Sequence, residues 1–171
     1  MGTAATLATA LVLATFGFHY AVLRWLSGGM ARIAMRAGPL VLCIVFVVLV
    51  AHVSEIILYA GAYAVSVTPL GLGKFGGLTV EQPLDFLYFS IVTYTSLGLG
   101  DVFPEGHLRF LAGIEALNGL LLIAWSGSFI YLAMGRLWPW ARCVEPARPT
   151  KASEQRLLGA KSLTSGLARD C

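Results

Sequence analysis

Three stretches of this chain carry no charged side chain, and each is long enough to cross a lipid bilayer. Residues 1 to 23, 37 to 54 and 116 to 135 contain no Asp, Glu, Lys or Arg, and the second run stays apolar past Glu55 to about Tyr63. About 20 apolar residues at roughly 1.5 Å rise each span a hydrocarbon core of ~30 Å. A backbone N–H or C=O has no water to bond inside that core, so a spanning segment must satisfy its own groups, as a helix does. The runs predict transmembrane helices near 4–26, 39–63 and 108–136. Composition agrees: only 12% of the residues are charged, against about 25% in a soluble domain, so most of the surface faces something other than water.

A fourth apolar stretch, Leu84 to Leu97, is too short to cross; runs of about 10 to 14 residues are more often buried or re-entrant. Pro83 suits the first helical position, where its missing N–H has no partner to lose. Asp85 falls in the first turn, where the helix dipole favours negative charge. Ser96-Leu97-Gly98-Leu99-Gly100 is poor helix sequence. Irregular backbone at membrane depth survives only if it is buried in protein or lines a water-filled path.

The basic residues give orientation. Arg24, Arg32 and Arg36 fall at or after the end of the first span, and Arg136, Arg142, Arg148, Lys151, Arg156, Lys161 and Arg169 follow the third. Only Lys74 and Arg109 fall between the second and third. The positive-inside rule puts the 27–38 loop and the C-terminal tail in the cytoplasm, with the N-terminus and the short helix outside. Trp25, Trp138 and Trp140 sit where interfacial aromatic belts are expected. The reading divides the chain into residues 1–38 (first helix and loop), 39–138 (the central unit) and 139–171. The last is a polar, proline-containing tail expected to be mobile, with a short helix near 153–168. The first basic residue is Arg24, so the start lacks the basic region of a secretory signal peptide. No arginine ladder suggests a voltage sensor. A net charge of +3 gives a nucleic-acid partner little support. Cys43, Cys143 and Cys171 are too far apart for a disulfide framework or zinc site, and Cys43 is read as packing.

Residues Thr93-Tyr94-Thr95-Ser96-Leu97-Gly98-Leu99-Gly100-Asp101, with Pro104 three residues later, resemble the pore loop of potassium channels, whose pattern is T-x-T-T-V-G-Y-G-D. The resemblance covers about residues 39 to 138, and the order helix, re-entrant helix, filter, helix is that of the small two-helix pore family, here with one additional N-terminal helix. It implies an all-α membrane protein: three transmembrane helices plus a re-entrant pore helix and selectivity-filter loop, assembled as a homotetramer in membrane lipid, which by resemblance alone is a prokaryotic inner membrane. Potassium is the permeant ion, and no cofactor is needed. A dehydrated potassium ion needs rings of oxygens in place of its water shell. Backbone carbonyls supply them if successive residues alternate in handedness, which glycine permits. The expected ion-coordinating residues are Ser96, Leu97, Gly98, Leu99 and Gly100, supported by Thr93 and Thr95, with Asp101 at the outer mouth. One filter per chain supplies one quarter of a ring, so cyclic closure takes four copies. The sequence departs from the pattern at Ser96, which keeps a hydroxyl, at Leu97, and at Leu99, which replaces an aromatic that packs behind the filter. Leu99 keeps a weakly selective monovalent cation pore open as the alternative. A non-conducting membrane scaffold or regulatory subunit and, more distantly, an intramembrane enzyme are the readings from other classes.

The remaining motifs are weighed against plainer roles. Gly71-Leu-Gly73-Lys-Phe-Gly76 fits a dinucleotide-binding pattern but follows no strand, so a flexible external turret is the better reading. Ser126-Gly127-Ser128 could hold a nucleophile, but small residues at helix contacts are far commoner and no base stands on that helix. His52 and Glu55, three apart on one face, could ligate metal, yet two ligands are weak support and a structural polar contact is expected. His19 is read as packing or bonding locally. Glu115 lies in the outer half of the last span, where an ionisable group is costly and usually functional. It is expected to brace the back of the filter through Thr95 or nearby amides, with Glu55 and His52 bonding each other or neighbouring hydroxyls. Gly119 is expected as either an inner-helix hinge or a close-packing site.

Overall fold

The structure is a computed structural model and describes residues 2–29 and 37–137. Arg32, Arg36, Trp138, Trp140, the tail basic residues, Cys143, Cys171 and the expected 153–168 helix lie outside the described residues.

Three long helices are present: α1 (Gly2–Gly29), α2 (Ala37–Val67) and α4 (Leu108–Leu137). All three are long and apolar enough to cross a membrane. α2 has Pro39 in its first turn and stops before Thr68-Pro69, because the residue preceding a proline is pushed out of helical backbone. α1 ends on Gly28-Gly29. The short helix α3 (Pro83–Tyr94) starts on the proline, and Asp85 Oδ2 reaches back to accept the amides of Gln82 at 2.8 Å and Glu81 at 3.0 Å. These two amides hold the Asp85 carboxyl below its usual range.

α1 runs alongside α4, its Ala4 and Ala5 near His107 and Phe110, and antiparallel to α2, with Leu23 and Leu26 packed near Leu40 and Ile44. The other end of α1, at Ala8 and Leu11, joins a core of Tyr59, Tyr63, Phe86, Phe89, Tyr94 and Leu111. α3 therefore packs with the Leu108 end of α4 and the Val67 end of α2. Tyr94, its last residue, contacts His52, the midpoint of α2. α3 is a half-span that enters from one side and stops near mid-depth.

The buried positions of each long helix form one stripe. On α1 they are Ala4, Ala8, Leu11, Thr15, His19, Leu23 and Leu26; on α4 they are Leu108, Leu111, Glu115, Asn118, Gly119, Leu122 and Ser126. This three-and-four spacing is one helix face, and it carries the polar residues inward. The outward face of α2 shows Leu42, Phe46, Leu49, Val53 and Ile57, as a lipid-facing or subunit-facing surface requires. Cys43, expected to pack, is also exposed.

The helical architecture expected from the sequence is present, with one short strand pair beside it: β1 (Phe75–Gly77) pairs antiparallel with β2 (Val102–Pro104), Gly76 opposite Phe103. The expectation that needs correction is the flexible turret at 71–76. The turret is accordingly not a free loop at that point. Lys74 O accepts Glu105 N at 2.8 Å and Leu72 O accepts His107 N at 3.0 Å, stitching the 71–77 segment to the chain between β2 and α4.

Candidate functional site

Residues 95–101 leave the end of α3 as irregular backbone. Thr95 caps the helix, its hydroxyl donating to Ile91 O at 2.7 Å. Leu97 N donates to Val92 O at 2.9 Å. Beyond that point φ is positive at alternate residues: 57° at Ser96, 58° at Gly98 and 80° at Gly100. Left-handed backbone costs a non-glycine residue roughly 1–2 kcal/mol, so the glycines fit and Ser96 holds a strained position. Strain of this kind persists only where the surroundings enforce it. Leu97 and Leu99 are 62% and 58% exposed within a single chain, and a Cβ built on Gly98 or Gly100 would meet nothing within 4 Å.

The far end of the segment is anchored. Tyr88, on α3, donates its hydroxyl to Asp101 Oδ2 at 2.5 Å, and Val102 N donates to Oδ1 at 3.0 Å. The Tyr88 bond holds the Asp101 carboxyl below its ordinary value. Asp101 O also accepts Leu78 N at 3.0 Å, joining the segment to the β1–β2 ribbon.

Behind α3 lies a buried polar network. Glu115 is fully buried and accepts hydroxyls from Tyr63 and Ser90, both at 2.5 Å. It does not reach Thr95 or a loop amide. Gly119, one turn further along α4, is level with Tyr94: a Cβ there would overlap the Tyr94 carbonyl and sit 3.0 Å from the Tyr94 ring. That contact is the packing alternative for Gly119, and α4 runs through it as unbroken helix. Asn118 donates to Thr15 Oγ1 at 2.8 Å and to the Tyr59 hydroxyl at 3.0 Å, tying α4 to α1 and α2.

His19 does not bond locally. It is fully buried, with Nδ1 2.9 Å from Glu55 Oε1 and Nε2 2.9 Å from the Ser126 hydroxyl. His52 lies 3.3 Å from Glu55 Oε2, as expected of that pair, and also reaches Tyr94 at 2.9 Å and Ser126 at 3.0 Å. Tyr94 donates to Glu55 Oε2 at 2.5 Å. Ser126, His19 and Glu55 stand in the order of a hydrolase relay. Ser126 is nonetheless buried in the middle of α4, where the neighbouring backbone amides are committed to helix bonds rather than to an oxyanion. The residues missed from sequence (Tyr63, Ser90, Asn118, Thr15) share one signal: polar groups at three- and four-residue spacing inside apolar stretches.

Three membrane-length helices and a half-span followed by an anchored irregular segment define a multi-pass membrane protein. The chain belongs to the ion channel family, whose profile matches residues 40–134, more than half of its length. It is also similar to the uncharacterized membrane protein YdjJ of Bacillus subtilis (strain 168), 30% identical over 109 residues. That match covers 63% of this chain but only 30% of the relative, so the chain spans less than a third of that protein's length. No solved structure matches the chain significantly.

Proposed function

We propose that four copies of this chain surround one potassium-selective pore, and that residues Ser96 to Gly100 line it. The observation that carries this reading is the alternation of positive φ at Ser96, Gly98 and Gly100, with negative φ between them. Alternating handedness turns successive carbonyls toward one side of the strand, which is the oxygen ladder a dehydrated monovalent cation needs. Exposed Leu97 and Leu99 and the empty space beside Gly98 and Gly100 leave this strand without an environment in one chain. At membrane depth such backbone must be covered, and fourfold cyclic closure covers it.

Conduction is passive in this reading. The C-terminal end of α3 points its partial negative charge toward the ion path. Ions lose water at the mouth beside Asp101, pass in single file and leave by mutual repulsion. The Lys and Arg distribution supports an external N-terminus and a cytoplasmic tail.

A specific feature favours the second reading, a weakly selective monovalent cation pore. Leu99 has no hydroxyl to tie behind the strand, and its side chain is largely exposed. Rigidity then rests on the Val92 carbonyl and the Tyr88–Asp101 bond.

The test is Gly98→Ala in proteoliposomes. A Cβ at a left-handed position beside the ion path is expected to abolish potassium flux while a tetramer persists by native mass spectrometry. Wild-type flux in this variant means that residues 96–100 are not the path, and a stable dimer or trimer as the sole wild-type species removes the pore.

A further inference from the structure

Glu55, His19, Ser126, His52 and Tyr94 form a closed loop. Each bonds the next, through contacts of 2.9 Å, 2.9 Å, 3.0 Å, 2.9 Å and 2.5 Å in that order around the ring. Every contact needs one proton. With Glu55 ionised and both imidazoles neutral, the groups bring four: one from each imidazole, one from the serine and one from the tyrosine. Five contacts with four protons leave one pair of lone pairs facing each other. The loop is short of one proton, or of another cation in its place, where an unpaired polar group is costly.

The orientation of the rings suits a metal ion as well as a proton. Both Nδ1 atoms face the same carboxylate, His19 at 2.9 Å from Oε1 and His52 at 3.3 Å from Oε2. Both Nε2 atoms face the same Ser126 hydroxyl. One added proton completes all five contacts, with a single imidazolium donating to Glu55 and Ser126, and so engages the two rings differently. A metal ion engages them evenly. Each imidazole ligates through Nδ1 and donates its Nε2–H to Ser126, the outer hydrogen bond that metal-bound histidines almost always make. Ser126 then accepts two bonds and turns its own proton to a carbonyl of its helix, as serines in helices do.

We propose that His19, His52 and Glu55 form a binding site for a divalent first-row transition ion of the zinc class, with the Tyr94 hydroxyl as fourth ligand. Their ligand atoms all lie within 4.8 Å of one another. Ligands about 2.0–2.1 Å from a tetrahedral zinc stand roughly 3.3 Å apart. His19 Nδ1 lies 2.9 Å from Glu55 Oε1, His52 Nδ1 3.3 Å from Oε2 and the Tyr94 hydroxyl 2.5 Å from Oε2. The rings thus face different oxygens of one carboxylate, and side-chain adjustment must bring them onto one ion. Two imidazoles and hard oxygens suit zinc, cobalt or nickel rather than magnesium or calcium. The side chain of His52 is 14% exposed while those of His19 and Glu55 are nearly inaccessible, so the ion enters from the His52 side. The site joins α1 to α2 and to the last residue of α3, two positions before Ser96. It gives the additional N-terminal helix a fixed attachment behind the pore loop.

The proposal is tested on the full-length protein, purified without a histidine tag, stripped with chelator and loaded with Co2+. The expected result is one Co2+ per chain, with the visible d–d bands of a tetrahedral nitrogen and oxygen site and no thiolate charge-transfer band from the cysteines. Zn2+ is expected to displace it and to appear at one per chain by elemental mass spectrometry. His19→Gln and Glu55→Gln are expected to lose the ion, Ser126→Ala to bind about 10- to 100-fold more weakly, and Glu115→Gln to bind as wild type. Because the wild type is itself informative, misfolding of a variant cannot mask the answer. Folded wild type that takes up no Co2+ overturns the site and leaves a hydrogen-bonded ring held by a proton. Uptake unchanged in both ligand variants also overturns it, by placing the ion elsewhere.

Discussion

Replacing Glu115 separates hydrogen bonding from charge in the buried network. Glu115 takes the hydroxyls of Tyr63 and Ser90, but Ser90 also has the Ile56 carbonyl at 3.0 Å and so keeps a partner when the carboxylate is removed. Tyr63 has no second partner among the described hydrogen bonds. Glu115→Ala therefore orphans one buried hydroxyl, at about 1–3 kcal/mol. It also leaves a void of several heavy atoms, for which core truncations suggest roughly 2 kcal/mol or more. The expected loss is about 3–5 kcal/mol, a hundredfold or greater change in the folded-to-unfolded ratio. Glu115→Gln keeps an oxygen for Tyr63 and offers its amide to Ser90, whose own proton stays with Ile56, so it is expected to lose under about 1 kcal/mol. Unfolding in mixed micelles with increasing denaturing detergent, followed by tryptophan fluorescence, measures both. Equal, wild-type midpoints for Ala and Gln refute the reasoning. Equal large losses refute it too, because they make the charge rather than the bonds responsible.

Three further outcomes follow from the same geometry. Gly119→Ala drives a methyl into the Tyr94 carbonyl and ring and is expected to destabilise by about 1–3 kcal/mol in the same titration; unchanged stability with altered gating returns Gly119 to the hinge reading. The Asp101 carboxyl is held below its usual 3.8 by Tyr88, so its contribution is complete above that value and lost as pH falls through the depressed one. Flux under external acidification is expected to fall only below about pH 4, and Tyr88→Phe to move that fall to higher pH. Leu99→Tyr is expected to raise the potassium-to-sodium permeability ratio, read from bi-ionic reversal potentials.

Much of the architecture was legible in charge-free run lengths. The spans near 4–26, 39–63 and 108–136 correspond to helices at Gly2–Gly29, Ala37–Val67 and Leu108–Leu137, extended because polar and glycine residues still hold helix beyond the apolar stretch. Pro83 marked the start of α3, and the loss of helical sequence after Thr95 marked its end. The strand pair was not legible, since three-residue strands carry no period. The partner of Glu115 was misjudged because counting residues fixes depth only to about a turn: Gly119, not Glu115, is level with Tyr94. The role of His19, read as packing or local bonding, was misjudged: its partners Glu55 and Ser126 lie on other helices. Helices apolar on every side do not declare from their apolar residues which face turns inward, so nothing local to α1 indicates that His19 meets Glu55. Polar residues spaced by three and four within the spans were the usable sign, and they marked the buried face rather than the exposed one.

The most direct test of the pore reading is current through the purified wild-type protein in a planar bilayer, with potassium on one side and sodium on the other. A reversal potential far toward the potassium equilibrium value is the predicted result. A reversal near zero replaces the selective pore with a weakly selective one, and silence from verified, correctly inserted protein contradicts conduction through residues 96–100 altogether.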